Sequence, residues 1–362
     1  MKKAVLITGM IAVFFFGLIA NPAFSGDLKR FKGKKITVTC WSGPYVEDFK
    51  KAIVEPFMKE TGAIVLLSPG WSEFISKIKA SPENKPPYDV FMADGWNYLA
   101  AMNIKRLQPI RKENIPNAKD IYPELLKRDP WVRGYGVPFD GGLYLPVYVP
   151  GKLGFTPTSW KDMLRPELKG KLTFDQTFYY GLYAAAFISD MAPGAQELYT
   201  EKGIDECFRM SKQIARQVRK FYKGGAEFFS LLKTGEAVMG PYYAGGTISH
   251  RRKGMNIAMV VPKEGVVAWI GYLTVLKGAR NRDLCEAFIN YCIDPKSQSR
   301  FAAAQGEYFS NRKTHIPEDE KGIIPTTNEE FKHITFFDWN LLNKNWDKLD
   351  ARWKREVLTQ AK

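Results

Sequence analysis

The chain has 362 residues, 45% of them apolar and 14% aromatic, and a formal net charge of +15. This length exceeds one ordinary hydrophobic core and predicts two domains. The basic residues are spread along the chain without a zinc-finger, RNA-binding or helix-turn-helix signature, so we expect a basic exterior and no nucleic-acid binding.

The first 25 residues predict a secretory signal peptide. Lys2 and Lys3 precede an apolar run, which is followed by a small-x-small cleavage sequence ending at Ser25. We therefore expect cleavage near Ser25 and an exported mature chain. Because the apolar run is longer than the usual core of a signal peptide, retention of the leader as a membrane anchor stays open.

The four cysteines say little about disulfide bonds or metal sites. Cys285 and Cys292 lie seven residues apart in a helical pattern, so about 10 Å of axial rise separates them and they cannot bridge each other. Buried free thiols are expected, while pairing of Cys40 or Cys207 with a distant element stays open. Neither the cysteines nor the three histidines have metal-ligand spacing, so we expect no metal and no cofactor.

The first third of the chain alternates between strand and helix patterns. Strands are predicted at 36–40, 63–67 and 88–93, and helices at 45–60, 71–80 and 96–102, with Pro56 kinking or restarting the first helix. Such alternation predicts a parallel sheet, in which ligands bind beyond the carboxyl ends of the strands. Trp41 follows the first strand, and Asp94 and Trp96 follow the third, so they are binding candidates. Asp94 is equally well explained as the N-cap of the next helix.

The middle third repeats this arrangement. It follows a glycine- and proline-rich segment at 134–142, whose backbone must bend or approach something closely and which contains Asp140. A strand at 172–174 ends in Asp175, a helix is predicted at 178–189, and a strand at 237–241 ends before Tyr242 and Tyr243. These strand ends again place acids and tyrosines where a ligand would bind.

Residues 262–280 form an apolar segment of β-branched and aromatic residues. Both faces of the predicted strand are apolar, which is typical of a buried strand. It is either a core strand or a strand crossing between two lobes, with Trp269 and Gly271 facing the gap. Further on, Trp339, Trp346 and Trp353 lie seven residues apart, a spacing that favours helix packing over a ligand site.

The sequence contains no phosphate-binding GxxxxGK[ST], no GxGxxG after a strand and no GxSxG nucleophile elbow. These absences predict a binding protein rather than an enzyme. A secreted hydrolase stays as an alternative, because paired carboxylates for glycoside hydrolysis need no local signature.

Short motifs occur in a constant order over roughly residues 35–315. The strongest set is Pro262-Lys263-Glu264-Gly265, Trp269, Gly278-Ala279-Arg280-Asn281-Arg282, Ala287-Phe288-Ile289-Asn290-Tyr291, Pro295 and Gln298. Supporting motifs are Phe57-Met58-Lys59-Glu60-Thr61-Gly62, Pro87-Tyr88-Asp89-Val90, Val137-Pro138 and Thr158-Ser159-Trp160. Because it carries these motifs in this order, the chain resembles the spermidine/putrescine-binding group of periplasmic solute-binding proteins of ABC importers.

The resemblance implies an α/β fold of two lobes, each a mostly parallel sheet flanked by helices, with a ligand cleft between them. The implied boundaries are 26–143 for the first lobe, 144–269 for the second, 270–313 for the return to the first, and 314–362 for a C-terminal helical segment that packs on both. It also implies a periplasmic monomer that closes on a small solute and delivers it to an inner-membrane ABC permease.

The resemblance further implies site residues, because such proteins hold amine cations with stacked aromatic rings and carboxylates. In the first lobe, Trp41 and Tyr45 match an aromatic pair of the family, and Asp94 and Trp96 fall near a polar residue and an aromatic residue of the family. In the second lobe, Asp175 falls near an acidic group of the family. Tyr243 and Trp269 match tryptophans that line the family's cleft.

The sequence departs from the polyamine pattern at two places. Gly271 stands where polyamine binders have an Asp, and Glu307 precedes Tyr308 near an expected tyrosine. Loss of that Asp removes a charge-assisted hydrogen bond of about 1.5–3 kcal/mol, for which Asp140 or Glu307 could substitute. We therefore predict a small amine-bearing or zwitterionic solute rather than a polyamine. The alternative ligand is ferric ion, bound by tyrosines from two pairs: Tyr179, Tyr180, Tyr242 and Tyr243.

Overall fold

The structure is a computed structural model that describes residues 28–71, 73–191 and 196–361. The predicted signal peptide, its cleavage near Ser25 and the alternative of an uncleaved anchor lie outside the described residues. Among the helices of the described ranges, none is both long and apolar enough to cross a membrane.

The strands of the described chain are short and form two large sheets and one small one. Their bounds are β1 Lys35–Trp41, β2 Ile64–Gly70, β3 Val90–Asp94, β4 Leu107–Gln108, β5 Val137–Pro138, β6 Asp140–Gly141, β7 Leu143–Tyr148, β8 Leu172–Asp175, β9 Val218–Tyr222, β10 Met239–Tyr243, β11 Ala258–Met259, β12 Val266–Ala268, β13 Gly271–Leu276, β14 Tyr308–Phe309 and β15 Ile334–Phe336.

The α-helices alternate with these strands and cover the sheets. Their bounds are α1 Pro44–Phe49, α2 Glu55–Thr61, α3 Glu73–Ala80, α4 Gly95–Asn103, α5 Pro123–Leu126, α6 Asp129–Val132, α7 Phe178–Ile188, α8 Glu201–Ala215, α9 Gly225–Thr234, α10 Ala244–Arg252, α11 Arg282–Cys292, α12 Pro295–Ala302, α13 Asn328–Lys332 and α14 Trp339–Glu356.

The helix predicted at 45–60 consists of two α-helices joined by a π-helical turn. α1 ends at Phe49, the turn occupies Lys50–Val54, and Pro56 lies in the first turn of α2. Val54 and Glu55 keep helical backbone angles, and the Glu55 N–H bonds to the Lys50 carbonyl oxygen, so the helix continues through this turn. Pro56, which lacks an N–H, lies where the hydrogen-bond pattern changes from π to α.

The first lobe is built on the sheet β2-β1-β3-β13-β4, with β5 beside β13. The second lobe is built on the sheet β15-β12-β7-β10-β8-β9, with β11 beside β7. In each of the two large sheets one described strand, β13 or β7, runs antiparallel to the others. β13 and β7 each enter their sheet from the other lobe. They enter at the edge where the carboxyl ends of the parallel strands lie, so each runs antiparallel to those strands. The predicted two-lobe α/β fold with mostly parallel sheets is confirmed.

The apolar segment at 262–280 crosses between the lobes. Its first half forms β12 in the second sheet and its second half forms β13 in the first sheet, with Trp269 and Ile270 between them. The crossing is confirmed, whereas a single continuous strand is wrong. A second crossing, in the opposite direction, lies between β5 and β7, where β6 pairs with β14 in the small sheet.

The C-terminal segment was predicted to be helical, and this is wrong for residues 334–336. They form β15, which adds to the edge of the second sheet in parallel with β12. α14 then contacts α4 of the first lobe and α7 and α8 of the second. The predicted lobe boundaries themselves stay predictions.

Candidate ligand-binding cleft

A cavity of about 610 Å³ lies between the two lobes. On one side it is lined from the carboxyl ends of β1, β2 and β3, and on the other from the end of β10 and the first turns of α7, α9 and α10. These are the strand ends at which ligands bind in parallel α/β sheets. Its volume falls in the range of small-molecule sites.

Three tryptophans form the wall contributed by the first lobe and the crossing. Trp41 ends β1 and Trp71 directly follows β2, which runs parallel to β1, so the two indoles stack with centroids 5.4 Å apart. Trp269 meets Trp41 edge to face, with centroids 6.1 Å apart. Trp71 is 55% exposed and Trp41 only 4%, so the stack runs from solvent into the molecule. The Nε1 atom of Trp41 is buried without a hydrogen-bond partner among the described residues.

Tyrosines form the opposite wall. Tyr243 ends β10, Tyr180 lies in the first turns of α7, and their hydroxyl groups are hydrogen-bonded to each other. Tyr144 stacks on Tyr180 with ring centroids 4.5 Å apart. Burial raises the pKa of Tyr180 and Tyr243 well above the ordinary value, so both stay neutral phenols.

The C-terminal segment closes one end of the cavity. Phe337 and Trp339 line it, and Trp339 packs edge to face on Tyr179 with centroids 5.4 Å apart. On its other side the Trp339 ring lies against Gly95, where a Cβ atom would overlap it. Trp339 therefore touches both lobes.

Three carboxyl groups line the cavity. Asp48 accepts a 2.6 Å hydrogen bond from Gln305 Nε2, and Asp94 accepts a 2.7 Å bond from the backbone N–H of Asn97. Asp94 is thus the N-cap of α4 as well as a cavity residue, and burial raises its pKa. Glu307 differs, because its Oε2 atom is buried and no described group bonds to it. Burial, and then the charge of Asp140, raise the pKa of Glu307 well above its ordinary value.

Asp140 lies directly behind this wall and is 1% exposed. Its Oδ2 atom accepts a 2.6 Å hydrogen bond from the Tyr45 hydroxyl, while Oδ1 has no partner in the described part of the chain. Burial raises its pKa to about 7, against the lowering effect of the Tyr45 bond. A Cβ atom at Gly271 would overlap Oδ1 of Asp140. The Asp140 carboxyl therefore occupies the space that a side chain at residue 271 would need.

Basic groups line the cavity from α10. The His250 ring stacks on Phe229 with centroids 3.5 Å apart, and its Nδ1 lies 2.9 Å from the Gly246 carbonyl oxygen. Lys253 follows at the end of the same helix and is exposed. The cavity thus carries carboxyl groups from the first lobe and basic groups from the second.

The structure brings together most of the predicted site residues. Those that line the cavity are Trp41, Tyr45, Asp94, Tyr243, Trp269 and Glu307. Asp140 is one layer behind. Trp96 and Asp175 are not part of the wall; Asp175 instead accepts a 2.8 Å hydrogen bond from the Thr177 backbone N–H, within its own turn. The part that each plays in binding stays a prediction.

Sequence reasoning missed Trp71, Asp48 and Trp339 as cavity residues. Trp71 follows a parallel strand, the same signal that identified Trp41, and could have been found. Trp339 belongs to the heptad-spaced tryptophans, whose other two members do pack on helices: Trp346 on Phe178, and Trp353 on Phe208.

The four cysteines are buried free thiols, as predicted. Burial raises the pKa of Cys40 and Cys207 to about 12, so they are unreactive at neutral pH. Within the described ranges, no group of three or more His, Cys, Asp or Glu residues could hold a metal ion.

The family model for bacterial extracellular solute-binding proteins matches residues 52–321. The chain belongs to this family. It is 24% identical over 293 residues to the spermidine/putrescine-binding periplasmic protein of Salmonella typhimurium, covering 78% of this chain and 81% of the relative. It is 24% identical to the gamma-aminobutyric acid-binding protein of Pseudomonas aeruginosa, over 57% of this chain and 59% of the relative.

Solved structures share the fold. The spermidine/putrescine ABC transporter substrate-binding protein of Streptococcus pneumoniae superposes with a TM-score of 0.76 at 19% identity, covering 90% of this chain and 100% of that one. By its family the protein is therefore a solute-binding protein and not an enzyme. Nothing in these similarities supports a secreted hydrolase or a ferric-ion carrier.

Proposed function

We propose that this protein captures a small amine-bearing or zwitterionic solute in the periplasm and delivers it to an inner-membrane ABC permease. The observation that carries the proposal is a pair of unpartnered buried atoms in one aromatic cavity: the Trp41 Nε1–H donor and the Glu307 Oε2 acceptor. A buried polar atom without a partner costs free energy, which a ligand can recover by bonding to it. A ligand that satisfies both atoms needs a donor and an acceptor.

The aromatic rings support an ammonium group as the donor. A cation over an indole face gains about 0.5–2 kcal/mol, and Trp41, Trp71 and Trp269 present three indoles to the cavity. The carboxyl groups on the same side would neutralise the ammonium charge. His250 and Lys253 on the opposite side suit a carboxylate at the other end of the ligand.

Similar proteins support this ligand class by their names, since one is described as binding spermidine and putrescine and another gamma-aminobutyric acid. Lobe closure would supply the signal to the permease, because a ligand that contacts both lobes stabilises the closed state over the open one. We propose Trp41, Tyr45, Tyr243, Trp269 and Glu307 as the ligand contacts, with Asp94 adding negative charge.

The test is a thermal-shift screen of the chain without its first 25 residues. The panel contains putrescine, γ-aminobutyrate, amino acids, glycine betaine, thiamine and Fe(III). A ligand at 100 times its dissociation constant adds about 2.7 kcal/mol of stability, which such a screen detects. We expect an amine or zwitterion to raise the melting temperature, and Trp41→Ala to reduce the shift. A response to Fe(III) alone, with a visible charge-transfer band, would overturn the proposal.

A further inference from the structure

A second cavity, of about 530 Å³, lies behind the segment that crosses between β12 and β13. Trp269 lines the cleft, whereas Ile270 and Tyr272 line this second cavity, so the two cavities lie on opposite faces of the crossing. We call it the rear cavity, and its walls include Tyr98, Arg128, Ile270, Tyr272, Phe336 and Trp339.

Both lobes contribute to the rear cavity. α4 and β13 of the first lobe contribute Tyr98 and Tyr272, and Arg128 precedes α6 of the same lobe. β15 of the second sheet contributes its residues Ile334–Phe336, and Trp339 of α14 follows them. A molecule bound in the rear cavity would therefore contact both lobes, as a ligand in the cleft does.

Arg128 presents an unused hydrogen-bond donor in the rear cavity. Its guanidinium lies over the Phe336 ring, 4.3 Å from the centroid, and its Nε atom is buried without a partner among the described residues. The side chain is 30% exposed, so a ligand can reach it. Glu124 lies 3.4 Å from Arg128 but only 2.8 Å from Lys127. One carboxylate thus faces two cations, which leaves Arg128 without a carboxylate of its own.

The Tyr272 hydroxyl supplies a second donor. The residue is 3% exposed, and within the described part of the chain its hydroxyl forms no hydrogen bond. Burial raises the pKa of Tyr272, against a lowering effect from the charge of Arg128, which agrees with a phenol close to the guanidinium. The rear cavity therefore combines a neutral O–H donor with a cation.

The other charged groups that line the rear cavity have partners. Asp129 pairs with Arg133 at 3.5 Å, and Asp338 is the N-cap of α14. Lys332 pairs with Glu329 at 2.6 Å. The two Asp carboxylates disfavour a doubly charged anion, whereas the charge of Arg128 suits a singly charged one.

We propose that the rear cavity is a second ligand site, which binds a small carboxylate that has an apolar body. The carboxylate accepts hydrogen bonds from Arg128 Nε and the Tyr272 hydroxyl, because a planar guanidinium matches a carboxylate in shape and charge. The apolar body lies against Ile270, Phe336 and Trp339. The volume falls in the range of small-molecule sites, and the proposal holds whichever solute binds in the cleft.

The test is isothermal titration calorimetry of the chain without its first 25 residues. The probe is 3-phenylpropionate, and 3-phenylpropanamide is its uncharged analogue of the same shape. We expect saturable binding of the carboxylate and at least about tenfold weaker binding of the amide, since the bond to Arg128 is charge-assisted. Arg128→Met and Tyr272→Phe should each weaken carboxylate binding by about tenfold. Inorganic phosphate should not compete.

Two variants serve as controls and should bind 3-phenylpropionate as the wild type does. Arg165→Met removes an arginine that also lies over an aromatic ring, Phe155, at 3.7 Å, but that lines neither the cleft nor the rear cavity. Trp71→Ala changes the cleft and leaves the rear cavity intact.

Loss of binding in Trp71→Ala, with full binding in Arg128→Met and Tyr272→Phe, would place the carboxylate in the cleft and overturn the rear site. So would an absence of binding, equal affinity for the carboxylate and the amide, or displacement by phosphate. If Arg128→Met does not fold, Tyr272→Phe decides, because it removes only a hydroxyl that has no hydrogen bond in the described chain.

Discussion

The indole of Trp339 lies on Gly95, so closely that a Cβ atom at residue 95 would overlap the ring. Gly95 is the first residue of α4 in the first lobe, and Trp339 begins α14, which also packs on the second lobe. The same indole lines the cavity. Contact between the lobes and the shape of the ligand site therefore depend on one small residue.

Gly95→Ala should move Trp339 away from α4. Overpacking of this kind costs about 1–3 kcal/mol, and we expect a loss of unfolding free energy in that range together with weaker ligand binding. Denaturant unfolding and thermal shift measure the two effects. Gly154→Ala is the control, since a Cβ there has no atom within 4 Å. Unaltered stability and binding in Gly95→Ala would show that the ring is free to shift.

Trp71→Ala should weaken ligand binding without harming the fold. Trp71 is 55% exposed and its main contact is the stack on Trp41, so we expect a stability loss of only about 1 kcal/mol. Loss of one cation–π wall should weaken amine binding by about tenfold. Val132→Ala, at another exposed apolar residue (62%), controls for surface effects. Equal affinity of Trp71→Ala and wild type would remove Trp71 from the site.

Asp140 should make the protein less stable as pH rises from about 4 to about 7. Its pKa is raised by burial from 3.8 to about 7 in the folded state, so the unfolded chain loses this proton first. The unfolded state then binds fewer protons, and unfolding free energy falls with pH across that window. In Asp140→Asn, the unfolding free energy should lack the part of its decrease with pH that comes from Asp140. Denaturant unfolding at several pH values measures this decrease. An identical slope in variant and wild type would contradict the raised pKa.

Gly271→Asp should be destabilising by itself and tolerated with Asp140→Ala. The new side chain would overlap Oδ1 of Asp140 and place two carboxyl groups together. We expect a loss of about 1–3 kcal/mol in the single variant and a smaller loss in the double variant than the two single effects predict. A double-mutant cycle of unfolding free energies measures this coupling. Additive effects would mean that the two positions do not compete for space.

Much of the cleft could be predicted because its residues follow strands. Trp41, Asp94 and Tyr243 stand at strand ends, and the carboxyl edge of a parallel sheet brings such residues together whatever the details of packing. Trp269 was predicted to line the cleft because it belongs to the motif set shared with the family.

The remaining residues depend on contacts between distant segments. Trp339 reaches the cavity only because β15 joins the second sheet and directs α14 across both lobes. Asp175 has the same position at a strand end as Asp94, but its carboxyl bonds to Thr177 and does not line the cavity. Local pattern cannot distinguish these two outcomes. The sequence showed Gly271 where polyamine binders have an Asp, and the overlap of a Cβ atom with Asp140 Oδ1 gives the structural reason for a glycine there.

Over the residues that the structure describes, the chain passes between the lobes three times: before β7, between β12 and β13, and before β15. Three connections side by side restrict the lobes far more than one linker would, leaving chiefly a rotation about the line that joins them. Most orientational entropy of one lobe relative to the other is then already lost in the open state. A small ligand consequently needs to supply little free energy to hold the lobes together, which suits a protein that must both trap its cargo and let it go.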